Sequence, residues 1–209
     1  MIIGNFNGWN IIAPPQAPAF MQAEISAEDV IGESEAPFSL HGQQQDWMGD
    51  RWSFHLALPP MPVELAAPWF AWLLEMRGKL NVFPLADPLG TPPAGAVQGA
   101  PVSNGVNLAR ARVLNTKGWT PSIQGQLLVG TYLQIGQRLH CVIGSDVDSD
   151  SGGLATIGIW PSIREATADG DPIVLAKPTG LFRMVNNKRT WSIATTKFFG
   201  IQIEVKEAL

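Results

Sequence analysis

A mainly β protein with one flanking α-helix and an inserted small β-barrel is what this 209-residue sequence predicts, and three observations predict it. Glycine and proline are abundant, at 21 and 17 residues, which implies many turns and little helix. Apolar residues alternate with polar ones in short runs along most of the chain, the period of a half-buried strand. One stretch, "LPPMPVELAAPWFAWLLEMRGKLNVFPL" from Leu58 to Leu85, breaks that rhythm with helical spacing.

Taken in order, residues 1–18 mix apolar residues with proline and are expected to form an arm draped over another surface. Ala19–Gly32 begins with alternation and reads as a strand, and "PFSLHGQQQDWMGD" reads as a strand ending in a turn at Met48-Gly49-Asp50. "RWSFHLAL" alternates strictly: Trp52, Phe54, Leu56 and Leu58 face one way, Ser53, His55 and Ala57 the other. Pro59-Pro60 stops that strand. A helix is expected over 62–77, with Pro62 in its first turn and Leu65, Trp69, Trp72, Leu73 and Met76 on one stripe against a sheet. Pro68 should bend it or delay its start. Gly78 ends it, with Arg77 in the last turn at the negative pole of the dipole.

Ala86–Asn104 is rich in Pro, Gly and Ala and reads as a linker or long loop. Five short β signals follow, in "VNLARARVL", "QLLVGTYLQIG", "RLHCVIG", "LATIGIW" and "PIVLA", the spacing of a small barrel or sandwich. "LFRMVN", "TWSIAT" and "FFGIQIEVKEAL" close the chain, and the last alternates Ile201, Ile203 and Val205 against Gln202 and Glu204. The resulting partition is a discontinuous outer domain of 1–95 and 181–209 around an inserted barrel of 96–180.

Charged residues are only 15% of the chain and hydrophobic ones 45%. Eight Trp and nine Phe against one Tyr point to surface covered by other subunits. A net charge of −4 and a pI near 5.3 argue against a protein built to grip DNA, which needs a basic stripe. Lys188–Arg189 is the densest basic spot. The lone Cys141 forms no intrachain disulfide and reads as a small buried hydrophobe. No secretion signal is expected at the N-terminus, and no apolar run is long enough to enter a membrane.

The chemistry-bearing residues are sparse. Asp146, Asp148 and Asp150 imitate the start of a calcium loop, but an EF-type loop needs Gly and Glu where Ser151 and Ile157 stand. They read as a hydrated turn. His41, His55 and His140 lack metal-ligand spacing, and His140 and Cys141, neighbours on one strand, point to opposite faces. The paired carboxylates of "GESE" and "REATADGD" read as solvated loops, and "GTPPAGAVQGA" lacks the Lys-Ser/Thr of a phosphate loop. Trp119 and Trp160, in or beside the barrel, are candidate platforms for stacking on a sugar. No metal, cofactor or catalytic activity is expected.

Several phrases in order, "FPLADP", "GTYLQIG" and "FRMVNN" with the "AxxWxAWLLxMRGK" helix before them, resemble tail proteins of long-tailed bacteriophages. More distantly they are similar to the distal tail protein, the ring between tail tube and tip. The resemblance runs from about Gly42 to the C-terminus. It implies a tail-tube-like β-sandwich with one flanking α-helix, and an inserted small β-barrel pointing outward. It implies a homo-oligomeric ring, a hexamer, that contacts the tail tube protein and the tail hub or tip proteins. DNA would pass through without sequence-specific binding, in a virion tail assembled in the host cytoplasm. Ser53, His55, Gln202 and Glu204 would then face a mildly acidic lumen. The rival expectation is a carbohydrate-binding module of a phage tail or cell-surface system.

Overall fold

The computed structural model describes residues 1–87, 93–194 and 197–209. The elements in chain order are β1 (Ile2–Phe6), β2 (Trp9–Ile12), β3 (Gln22–Glu28), β4 (Ile31–Glu35), β5 (Gly42–Asp46), β6 (Arg51–Ala57), α1 (Val63–Glu75), β7 (Phe83–Ala86), β8 (Gly99–Ser103) and β9 (Val113–Trp119). After them come β10 (Tyr132–Ile135), β11 (Arg138–Val142), β12 (Leu154–Trp160), β13 (Ile173–Val174), β14 (Thr179–Met184), β15 (Trp191–Ile193) and β16 (Phe199–Glu207). The protein is mainly β, with one helix among the described residues. It divides into two compact units: Met1–Ala27 with Trp52–Pro88 and Gly180–Leu209, and Glu28–Arg51 with Leu89–Thr179. The segment Glu28–Arg51 thus goes with the barrel, whereas the sequence reading places it in the outer domain.

The first unit is built on a sheet of order β3-β6-β16-β14-β7, with β15 beside the start of β16. Alternation decides its faces. Trp52, Phe54 and Leu56 of β6 and Ile201, Ile203 and Val205 of β16 are all buried, and α1 packs on this apolar side. Trp72 meets Phe83 edge-on at 5.0 Å and Trp69 at 5.6 Å, and Phe70 meets Phe199 at 5.2 Å. The helix stripe is Ala66, Trp69, Trp72, Leu73 and Met76. Leu65, expected on it, is 47% exposed: it lies in the first turn on the flank of the stripe, and Ala66 is the residue turned inward. Pro68 is accommodated without ending the helix. Arg77 is not in the last turn but beyond the C-cap, where both it and Gly78 take positive φ. A side chain at Gly78 would run into the Asn187 backbone at 2.8 Å.

The N-terminal residues are not a draped arm. β1 and β2 form a hairpin, and Asn7-Gly8 supply its two-residue turn, both at positive φ as a type I′ turn requires. The amide of Ile12 bonds the Val82 carbonyl, and Val82 bonds that of Asn10, so the hairpin continues the sheet past β7. At the opposite end β3 has β6 as its only neighbour among the described residues.

In the second unit β13-β10-β11-β12-β9-β8 form a six-stranded sheet that curls until its ends nearly meet. Val102 bridges Pro172, the Ser103 amide bonds the Asp171 carbonyl, and Gly170 bonds Ser103. The inward residues Leu114, Leu133, Val142, Ile157, Ile159 and Ile173 fill the barrel-like core. β8 falls inside the stretch expected to be a linker; residues 88–92 of that stretch lie outside the described residues. β4 and β5 pair from Ile31–Asp46 to Glu35–Gly42 as a separate hairpin.

Candidate functional site

Two surfaces stand out, and each belongs to one unit. In the first, β6 and β16 run antiparallel with Ala57 opposite Gln202, His55 opposite Glu204 and Ser53 opposite Lys206. Residues directly opposite share a face, so this register gathers the four residues expected on one wall: His55, Gln202 and Glu204 are exposed and Ser53 half-buried. Ala57, expected beside them, is buried. Beside this wall lies an open groove of about 580 Å³, whose lining includes His55, Gln202, Glu204, Lys188, Arg189 and Trp191.

The wall carries more positive charge than the mildly acidic lumen that the resemblance implies. Arg183 stands opposite Lys206, and Lys188 and Arg189 line the groove, where Glu204 is the one carboxylate among the described lining residues. The Arg183 guanidinium sits 4.4 Å from the Trp9 ring centroid, and burial pulls its pKa below the usual value. Because the Gln202 side chain is exposed, Gln202→Lys should leave stability within about 0.5 kcal/mol of wild type, read as an unchanged denaturant midpoint.

In the second unit the carboxyl of Asp50 is fully buried. It accepts hydrogen bonds from the Ser162 amide and hydroxyl, each at 2.7 Å. Arg164 lies 3.5 Å from one oxygen and Arg112 3.9 Å from the other. Arg164 also donates to the carbonyls of Met48 and Asp50. Burial alone would raise the Asp50 pKa, but the Ser162 bonds and Arg164 outweigh it and hold the carboxyl below its usual value. The cluster fastens the base of the β4–β5 hairpin to the segment after β12.

His140 on β11 is buried nearby and its Nδ1 lies 2.7 Å from the Pro161 carbonyl. A carbonyl only accepts, so Nδ1 carries the proton of the neutral ring. Burial is the main cause that pushes its pKa down to about 4; Arg138 adds to this, while the Pro161 bond and Asp50 oppose it. The unfolded chain therefore takes up this proton near pH 6.5 and the folded chain only near 4. Stability should be full above 6.5 and fall between 6.5 and 4, by roughly 3 kcal/mol at most. Asp50 adds a further loss below pH 3.8. Urea titrations across this range check the slope, and His140→Gln should flatten the window above pH 4.

The three aspartates after β11 are backbone caps. Asp146 accepts from the Val129 amide at 2.9 Å, Asp148 from Gly125 at 2.7 Å, and Asp150 from Gly152 and Leu154 at 2.8 Å. No group of three ligand-type side chains able to hold a metal occurs among the described residues. Trp119 is only 3% exposed, and its Nε1 donates to Thr116 at 2.7 Å. It is a core residue, which removes it as a sugar platform. Trp160 is half-buried and donates to Asp29 at 3.1 Å. The "GESE" carboxylates are on strand β4 rather than in a turn.

The surface that sequence reading missed is the β4–β5 hairpin itself. Nine of its ten strand residues are exposed, and Phe38 at its tip is 101% exposed. The available signal was acidity: Glu28–Asp50 holds Glu28, Asp29, Glu33, Glu35, Asp46 and Asp50 with no Lys or Arg. No helix is long and apolar enough to cross a membrane among the described residues. The chain matches no protein-family model and no curated protein sequence.

Proposed function

We propose that this chain is a structural, non-enzymatic subunit of a ring at the distal end of a long-tailed phage tail, joining tail tube to tip or hub. On this reading the first unit is the tail-tube-like β-sandwich domain and the second the inserted barrel. The observation that carries it is the β6–β16 ladder. One face is sealed by α1, while the other presents Ser53, His55, Gln202 and Glu204 to solvent. The sheet also ends at β3, which among the described residues has a strand on one side only. An edge of this kind invites pairing with another chain, and a closed ring removes it. Six copies would line a channel through which DNA passes without sequence-specific contact.

Negative-stain microscopy of the purified chain over a range of concentrations tests this. Discrete rings of one symmetry are expected. A monomer up to the solubility limit would overturn the reading.

A further inference from the structure

We infer that the β4–β5 hairpin of one copy docks on the Lys188–Arg189–Trp191 side of the groove beside β16 of a second copy, with Glu33 and Glu35 meeting Lys188 and Arg189, and leaves the His55, Gln202 and Glu204 side open to the channel. This deepens the assembly reading and rests on it for the identity of the partner.

A two-stranded hairpin with no buried face is marginal in water. This one buries almost nothing, yet displays Phe38 and Leu40, 101% and 73% exposed, at its turn. Apolar side chains held out at the tip of a hairpin that buries neither face imply a surface that covers them. Its charge states which kind of surface. Four of the six acids in Glu28–Asp50 are already engaged: Glu28 with Arg51, Asp29 with Trp160, Asp46 with Arg112, and Asp50 with Ser162. Glu33 and Glu35 remain exposed, with no side-chain partner among the described residues. Two apart on one strand, they project from the same face.

The groove supplies the complement. Lys188 and Arg189 are adjacent in its lining and have no carboxylate partner among the described residues. Met21 and Trp191, also in the lining, offer apolar surface for the tip, Met21 being 63% exposed. Like charges would repel a hairpin of the opposite composition, so the pairing also sets orientation: the hairpin of one copy to the groove of the next, head to tail.

Charge reversal with mixing tests this on the full chain. Self-association of wild type, E33K/E35K, K188E/R189E and F38S is measured by analytical ultracentrifugation. Each variant should associate at least tenfold more weakly than wild type while its circular dichroism is unchanged. An equimolar mixture of the two charge-reversed chains should recover wild-type association, because each hairpin then finds a matching groove on the other chain. If wild type associates and the variants do so equally well, the hairpin contact is overturned and the ring reading stands; another protein would then be the tip's occupant. If only a chain carrying all four reversals recovers, the contact lies within one copy and the inference is overturned. A wild type that stays monomeric overturns both readings.

Discussion

Trp72→Ala should destabilise the first unit by about 3–5 kcal/mol. Trp72 is 3% exposed and sits between Trp69 and Phe83. Its removal opens a cavity between α1 and β7 that neither neighbour can fill without losing its own edge-on contact. Urea unfolding followed by far-UV circular dichroism measures the loss. A change under about 1 kcal/mol would mean that the helix is not what seals this sheet. A companion variant separates packing from polarity. The Trp72 Nε1 is buried with no hydrogen-bond partner among the described residues, so Trp72→Phe trades lost volume against relief of an unsatisfied donor. It should cost much less than Trp72→Ala.

Asp50→Ala should cost the second unit about 3–5 kcal/mol, the usual effect of removing one partner from a buried charged cluster. The carboxylate is the acceptor for both Ser162 donors and the nearest anion to Arg164. Deleting it leaves those donors inside without an acceptor. Asp50→Asn keeps the shape and one good acceptor, so it should fall between wild type and Ala. Hydrogen exchange at the Ser162 amide is the direct readout: protection should drop with Asp50→Ala and survive Trp72→Ala. A loss below about 1 kcal/mol would mean that water reaches the cluster.

The parts of this fold legible in the sequence are those where burial imposes a local period. β6 and β16 each have one face on a core, so alternation named Ser53, His55, Gln202 and Glu204, and the register brings them together. Helical spacing found α1, but spacing gives an angle around an axis and not what lies above it. Hence spacing puts Leu65 on the stripe where Ala66 lies. Asn7-Gly8 is a hairpin signal in the sequence, and the prolines at 14, 15 and 18 mask it by suggesting an arm. β4 and β5 bury neither face, so no alternation marks them. The Asp146, Asp148 and Asp150 spacing showed that three carboxylates share a side. It was silent on the partners, which are amides 17 and 23 residues away for Asp146 and Asp148 and two and four residues on for Asp150. The positive charge on the wall was equally hidden: Arg183 and Lys206 are far apart in the chain and meet only through the β14–β16 register.

The Asp50 cluster has a consequence for how such a gene can change. Its acceptor is encoded in Glu28–Arg51 and its donors in Leu89–Thr179, with α1 and β7 encoded between them. A crossover that replaced the barrel by exchanging only the later segment would deliver a new lining to an old aspartate, or donors to a position lacking one. Inheritance of a working barrel therefore requires two separate stretches of the gene to travel together, or the second to arrive with residues at 162 and 164 that fit the resident Asp50. Chimeras made at both junction pairs should fold, while those made at the later pair alone should fold only when that fit is kept.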